Sequence, residues 1–283
     1  MTIKNQFKTV ILLGALTGIL LFVGQLVGGP QGLTIALIFS IIMNFGAYWF
    51  SDKIVLAIYH AKEIKESNNP RLFKIVREVS HLAKIPMPKV YILPSDASNA
   101  FATGRNYKHA AVACTNGIFD LMNDDELKGV IAHEMSHIKN RDTLIQSVAA
   151  TIAGVISYIA FMARWGAIFG GFGRDRDSGN MIQLLVLAII TPILAMIIQL
   201  AISRSREYIA DASAAKTLHN SSGLASALQK LNDDVKKHPL RLGNQSTGHL
   251  FISNPFRSRG FLNLLSTHPP LEKRVNKLKD MRF

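Results

Sequence analysis

The sequence predicts an α-helical integral membrane protein with four transmembrane helices and a mostly helical, α+β part outside the bilayer. Hydrophobic residues make up 48% of the chain and charged residues only 18%, and the mean hydropathy is +0.20. This balance is unusual for a soluble enzyme. Residues 9–51, 143–163 and 178–203 contain no Asp, Glu, Lys, Arg or His. Stretches of this length and composition are typical of membrane spans and exclude a disordered chain.

The first uncharged stretch is long enough for two spans, since a helix crosses the bilayer core with about 20 apolar residues. Residues 10–27 and 33–50 form the two predicted helices, and residues 28–32 contain glycines and a proline that favour a turn. Residues 1–51 are therefore predicted to be an N-terminal tail and a membrane hairpin. A cleaved signal peptide is the alternative, but the apolar run is longer than such peptides have.

Residues 143–203 predict a second transmembrane hairpin, with spans at 143–163 and 181–202 and a charged, glycine-rich loop between them. The alternative is a hydrophobic hairpin inside a large soluble core, because Arg164 shortens the third span. A transporter is a further alternative, but it would place ionisable residues inside the spans, and these spans have none.

The distribution of Lys and Arg predicts the orientation in the membrane. With four spans, all basic residues except Arg164, Arg174 and Arg176 lie on one side. The positive-inside rule places that side, with both termini and both polar blocks, residues 52–142 and 204–283, in the cytoplasm. The net charge of +13 is then explained by anionic lipid headgroups, and no nucleic-acid partner is expected.

The polar blocks show the patterns of a small globular domain. Apolar residues recur at three- and four-residue steps in several segments, and short β-branched runs alternate with them. Helices are predicted at 52–66, 70–83, 221–237 and 271–279, and strands at 90–93 and 110–114, with a possible edge strand at 99–103.

Residues 123–142 contain the pattern His-Glu-x-x-His on a predicted helix. Asn123 and Glu126 form a capping signal at its start. His133 and His137 are four residues apart and therefore project from one helix face, which allows both imidazoles to bind one Zn²⁺. Glu134 lies beside them, where it can take a proton from water. Two structural histidines are the alternative, but burying them with a carboxylate is unfavourable without a partner.

A catalytic zinc ion needs a third protein ligand. Asn140 and Thr143 stand where an extended motif would have Gly and His, so this ligand has to come from elsewhere. Glu207 directly follows the fourth predicted span, and two crossings return it to the side of His137. Asp211 is four residues further on and is expected to orient an imidazole. The alternative is a helix end at the lipid surface with an ordinary pair of acids.

The motifs H-E-M-S-H, E-Y-I-A-D and T-H-P-P together resemble the HtpX family of bacterial membrane-bound zinc endopeptidases, relatives of the CAAX prenyl proteases. The resemblance covers essentially the whole chain. It implies a gluzincin-type cytoplasmic catalytic domain, formed by residues 52–142 and 204–283, with one zinc ion held by His133, His137 and Glu207 and with Glu134 as the acid and base. It also implies that His268 lies near the metal. Finally, it implies that an edge strand receives the substrate, and this strand contains Asn99, Ala100, Phe101 and Ala102.

The expected activity is zinc-dependent hydrolysis of internal peptide bonds, with His268 or Tyr208 stabilising the oxyanion. The resemblance implies that the substrates are polypeptides, chiefly misfolded or damaged membrane proteins, cleaved at the cytoplasmic (inner) membrane in quality control tied to stress. The alternative function is a membrane scaffold or chaperone with a structural zinc site. Such a site needs a fourth protein ligand, for which Cys114 is unattractive, although His268 would serve.

Overall fold

The computed structural model describes residues 2–140, 142–148, 204–238, 248, 250–253 and 269–283. Most of the second predicted hairpin, residues 143–203, lies outside the described residues, apart from residues 143–148. His268 lies outside them as well.

The N-terminal hairpin consists of α1 (Thr2–Ile58), which reverses direction at Gly29, where φ is 57° and ψ is −142°. The two arms contact each other: Asn44 Nδ2 donates a hydrogen bond of 2.8 Å to Thr17 Oγ1. The glycine at position 24 allows close approach, because a Cβ atom there would lie 2.5 Å from the Cβ of Ala36. In the described part of the chain, the segment Gly28–Ile58 is long and apolar enough to cross a membrane, and Leu13–Gln25 is a shorter apolar helix.

The remaining elements include the predicted helices and strands together with a short first strand, two 3-10 turns and a short helix that were not predicted. They are β1 (Lys62–Glu63), a short 3-10 turn (Glu66–Asn68), α2 (Pro70–Ala83), β2 (Lys89–Leu93), β3 (Ala100–Thr103), a second 3-10 turn (Tyr107–His109), β4 (Ala111–Thr115), α3 (Gly117–Leu121), α4 (Asp124–Asn140), α5 (Arg204–Leu218), α6 (Ser222–Lys237) and α7 (Leu271–Lys279). Residues 142–148 are also helical.

The predicted helix at 52–66 is wrong beyond Ile58. His60 adopts a left-handed conformation, with φ of 50°, which ends the helix. Lys62 and Glu63 then pair with β2. This pairing depends on a strand that lies some 30 residues away in sequence, so the local pattern does not show it.

The four strands form one sheet in the order β1-β2-β4-β3. Strands β2 and β4 are parallel, whereas β1 and β3 are antiparallel to their neighbours. Strand β3 is thus at an edge, as predicted. Part of its outer side is covered, because Phe251 forms a bridge with Phe101 and the Ile252 N–H donates to the Ala100 carbonyl at 3.1 Å.

Helix α4 lies in the middle of the domain and packs against α2, α5, α6 and β3. Its apolar residues belong to the main hydrophobic core, with Leu127, Val130, Ile131 and Met135 fully buried. The backbone of α6 comes very close to α4 at Gly129, where a Cβ atom would lie 2.6 Å from the Leu224 nitrogen. The core therefore fixes α4, and with it the two histidines.

Candidate metal centre

Helix α4 begins with a reciprocal capping box. The Asn123 N–H donates to Glu126 Oε2 and the Glu126 N–H donates to Asn123 Oδ1, both at 3.0 Å. Glu126 also accepts hydrogen bonds from Ser226 and Lys230 of α6. The start of α4 is therefore fixed both by its own cap and by α6.

The structure brings His133, His137 and Glu207 together, all three buried. The Nε2 atoms of the two histidines are 3.2 Å apart. Glu207 Oε2 lies 3.5 Å from His133 Nε2, and Oε1 lies 3.4 Å from His137 Nε2. Ligands about 2.1 Å from a tetrahedral zinc ion lie about 3.4 Å from one another. The three side chains therefore have the spacing of ligands around one tetrahedral metal ion.

Each imidazole is held by a different aspartate through Nδ1. His133 Nδ1 is 2.9 Å from Asp211 Oδ1, and His137 Nδ1 is 3.3 Å from Asp142 Oδ2. A proton on Nδ1 donates to the carboxylate, so the Nε2 lone pair is directed at the shared centre. Asp211 was predicted for such a role. Asp142 was not, although it lies five residues after His137.

Each of these aspartates forms an ion pair with an arginine. Arg274, which is 1% exposed, binds Asp211 with two hydrogen bonds of 2.7 and 2.8 Å and lies 3.3 Å from Glu207 Oε2. Arg206 pairs with Asp142. Sequence reasoning missed both arginines. The available signal for Arg274 was a basic residue on the apolar stripe of a short amphipathic helix, next to Val275 and Leu278.

When both imidazoles are neutral, as metal ligands are, the described part of the centre carries excess negative charge. It contains four carboxylates (Glu134, Asp142, Glu207 and Asp211) and two guanidinium groups (Arg206 and Arg274), all mostly buried. Burial lowers the imidazole pKa values, but hydrogen bonds to the acids outweigh it: those donated to Asp211 and Glu207 raise the pKa of His133, and those donated to Asp142 and Glu207 raise the pKa of His137 to about 10. Both shifts have the same cause, the carboxylates that surround the two imidazoles.

Glu134 is 2% exposed and lies beside the three candidate ligands. The Ala102 N–H of β3 is hydrogen-bonded to its carboxylate, whereas Oε1 has no hydrogen-bond partner among the described residues. Burial raises the pKa of Glu134 to about 7, against the effect of the neighbouring histidines, which lower it. A carboxyl group with this pKa exchanges protons readily at neutral pH.

Strand β3 lies next to Glu134, since the Ala102 N–H is hydrogen-bonded to the Glu134 carboxylate. Asn99 precedes the strand and is fixed by Thr115 and by the Ser253 carbonyl. The ring of Tyr208 lies beneath Lys277, with Nζ 3.8 Å from the ring centre. The structure thus brings the predicted edge strand to the metal centre, whereas Tyr208 contacts α7.

Comparison with known proteins gives the family. The model of peptidase family M48 matches residues 66–282. The chain belongs to peptidase family M48. This M48 peptidase is 51% identical over 281 residues to a protein named "Protease HtpX homolog" from Syntrophobacter fumaroxidans, covering 98% of this chain and 99% of the relative. A protein of the same name from Syntrophotalea carbinolica is 52% identical over 278 residues, covering 98% and 99%.

The fold is similar to that of a solved structure, Ste24p of S. mikatae, with a TM-score of 0.53 and 19% sequence identity. The match covers 99% of the M48 peptidase and 66% of the longer Ste24p chain. The family and its HtpX relatives make the protein a metalloprotease, and therefore a hydrolase. The resemblance to HtpX proteases seen in the sequence is confirmed.

Proposed function

We propose that this M48 peptidase is a zinc-dependent endopeptidase of the bacterial cytoplasmic membrane that cleaves misfolded or damaged membrane proteins at internal peptide bonds. The observation that supports zinc most directly is the convergence of the three side chains: the histidine Nε2 atoms are 3.2 Å apart, and each lies 3.4 to 3.5 Å from one oxygen of the Glu207 carboxylate. Two imidazoles and one carboxylate, with a position left for water, are typical of catalytic zinc. When bound, zinc supplies Lewis acidity toward water and toward the substrate carbonyl.

The side chains around this centre orient the histidines, transfer the proton and stabilise the oxyanion. Asp211 and Asp142 keep the Nδ1 protons of the histidines, so that both Nε2 atoms remain available to the metal. Glu134 takes a proton from the attacking water and passes it to the leaving amine. Its carboxylate is oriented by the Ala102 N–H. For stabilisation of the oxyanion, His268 remains a proposal and Tyr208 is less favourable, because its ring contacts Lys277.

Strand β3 is proposed to receive the substrate as an added strand. The Ala100 carbonyl and the Ala102 N–H point away from β4, since Ile252 donates to the first and the second is hydrogen-bonded to Glu134. The Ala100 carbonyl already accepts a hydrogen bond from Ile252. Because the Ala102 N–H is bonded to Glu134, we expect the substrate backbone to donate to the Ala102 carbonyl, next to Glu134.

Membrane insertion with four spans and with the active site facing the cytoplasm is part of the same proposal. Gly28–Ile58 supports it by its length and apolar composition. The basic residues on the side of the metal centre support the orientation. A metal centre at the cytoplasmic surface of the membrane can reach the cytoplasmic loops of membrane proteins.

The test is hydrolysis of casein, an unfolded protein, by the detergent-solubilised full chain supplied with zinc. Glu134→Gln should abolish cleavage and leave one zinc ion per chain, because it removes the proton acceptor and keeps all three ligands. Glu207→Gln should lower the zinc content, whereas Glu272→Gln, an exposed glutamate after His137, should change neither property.

Undiminished cleavage by Glu134→Gln would reject the catalytic assignment. Full zinc content in Glu207→Gln would reject the ligand assignment. Zinc binding without chelator-sensitive hydrolysis would instead favour the scaffold with a structural zinc site.

A further inference from the structure

A cleft of about 500 Å³ lies where the end of α1 meets the turn that follows β3. Its walls are aromatic and basic side chains from segments that are far apart in sequence. Phe45, Trp49, Phe50 and Lys53 come from α1, and Arg105 and His109 come from the turn. The cleft contains none of the residues of the metal centre.

Arg105 is held rigidly in this cleft. Its Nη1 donates to the Trp49 carbonyl at 3.1 Å, and its guanidinium carbon lies 4.8 Å from the centre of the Trp49 ring. Its Nη2 is 2.9 Å from His109 Nε2, while His109 Nδ1 is 2.8 Å from Asn106 Oδ1. This arrangement fits a histidine that donates to Asn106 and accepts from Arg105. These contacts use two of the five guanidinium N–H donors, so three remain for a ligand.

The cleft is positively charged. Lys53 and Arg105 are the two cations that line the cleft. Lys53 Nζ lies 5.6 Å from the centre of the Phe50 ring. Asp52 is the one carboxylate of the lining, and among the described ion pairs it binds neither cation. A planar guanidinium with unused donors matches the geometry of a phosphate oxyanion.

The surface leading from the cleft along α1 is apolar. Ile41, Ile42 and Phe45 are 61%, 63% and 59% exposed, and Trp49 follows at 41%. Aromatic rings followed by Lys or Arg mark the level of lipid headgroups at the end of a membrane span. The cleft therefore has the exposed apolar residues of α1 on one side and the cations Lys53 and Arg105 on the other.

We propose that this cleft binds the headgroup of an anionic phospholipid, with the phosphate against Arg105 and Lys53 and an acyl chain along Ile41 and Phe45. The proposal rests on the membrane insertion proposed above. Arg105 directly follows Gly104, whose carbonyl accepts a 2.7 Å hydrogen bond from Thr143, and Gly104 follows β3. A bound lipid thus holds the turn that ends the proposed substrate strand.

The test is quenching of Trp49 fluorescence in the full chain reconstituted in phosphatidylcholine vesicles. The protein has two tryptophans, so Trp165→Phe leaves Trp49 as the reporter, and Glu134→Gln prevents self-cleavage. Brominated phosphatidylglycerol should quench Trp49 more strongly than brominated phosphatidylcholine with the same chains. Arg105→Gln should lower this preference about fivefold, and Lys53→Gln should lower it to a similar extent.

Lys108→Gln is the matched control, because Lys108 is exposed on the same turn but does not line the cleft. It should keep the full lipid preference. Equal quenching by the two lipids, or an equal loss in the Arg105 and Lys108 variants, would overturn the proposal. Displacement of the lipid by soluble glycerol phosphate would assign the cleft to a soluble ligand instead.

The readout needs neither zinc nor hydrolysis. Equal quenching by the two lipids in the reporter chain, with casein cleavage intact in the parent chain, would reject the lipid site alone. Absence of quenching by both lipids would reject the membrane insertion on which it rests.

Discussion

At the scale of single residues, the metal centre depends on side chains that never touch the metal. Asp211 and Asp142 fix the two imidazoles, and Arg274 and Arg206 bind the aspartates. Removing one member leaves a buried charge without its partner, which is more destabilising than losing a surface ion pair. The centre is therefore sensitive to substitutions beyond its ligands.

Arg274→Lys should lower zinc affinity and casein hydrolysis by roughly 10- to 100-fold, because a lysine keeps the charge but not the two-pronged contact with Asp211. Zinc bound per chain, measured by elemental analysis over a range of free zinc, checks this. Arg282→Lys, at an exposed position, is the control. Unchanged zinc affinity in the Arg274 variant would show that a point charge suffices.

Asp142→Asn should weaken zinc binding by roughly 10- to 100-fold, since an amide no longer enforces the Nδ1 proton of His137. Asp120→Asn, an exposed substitution before α4, should have no effect. Competition with a zinc-sensitive dye measures both affinities. If the two variants bind zinc equally well, His137 does not require Asp142.

At the scale of elements, the sequence predicted α2, α4, α6 and α7 almost to the residue, because their apolar stripes and caps are local. It also predicted β2 and β4 and the edge position of β3. It missed β1, whose only definition is its pairing with β2. It missed Arg274 and Arg206 for the same reason, as their partners lie 63 and 64 residues away in sequence.

The cap of α4 predicts a pH-dependent stability. Burial raises the pKa of Glu126, but hydrogen bonds from Lys230, Ser226 and the Asn123 N–H outweigh it, and the net pKa lies below 4.5. The folded protein thus holds the carboxylate more strongly than the unfolded chain does. This stabilisation is present above about pH 4.5 and is lost as the pH falls through the lower folded pKa.

Glu126→Gln keeps a capping partner but removes the charge that Lys230 binds. It should lower stability by about 1 kcal/mol at neutral pH and flatten the loss of stability below pH 5. Thermal unfolding of the solubilised protein across this pH range measures the effect. Glu78→Gln, at the partly exposed pair with Lys128, should cost less. An equal response of both variants would contradict the importance of the cap.

At the scale of the whole molecule, the metal centre joins parts of the chain that are far apart. Helix α4 supplies two of the proposed ligands, α5 supplies the third, and α7 supplies the arginine that binds the acids of α5. The excess negative charge of the centre is offset when a divalent cation is bound. Metal binding should therefore stabilise the domain as well as activate it.

Removal of zinc by a chelator should lower the unfolding temperature of the protein, and added zinc should restore it. The shift should be retained in Glu134→Gln, which keeps the ligands, and should be reduced in Glu207→Gln. Thermal unfolding with and without chelator makes the comparison. The same unfolding temperature in both conditions would show that the centre is stable without the ion.

The separation of the ligands along the chain also has a consequence during synthesis. His133 and His137 leave the ribosome before Glu207, with residues 138–206 translated in between. A nascent or prematurely terminated chain that stops before Arg204 carries the histidine pair and Glu134 but neither Glu207 nor Arg274. Translation products that stop before Arg204 therefore lack the third proposed ligand and cannot complete the zinc site.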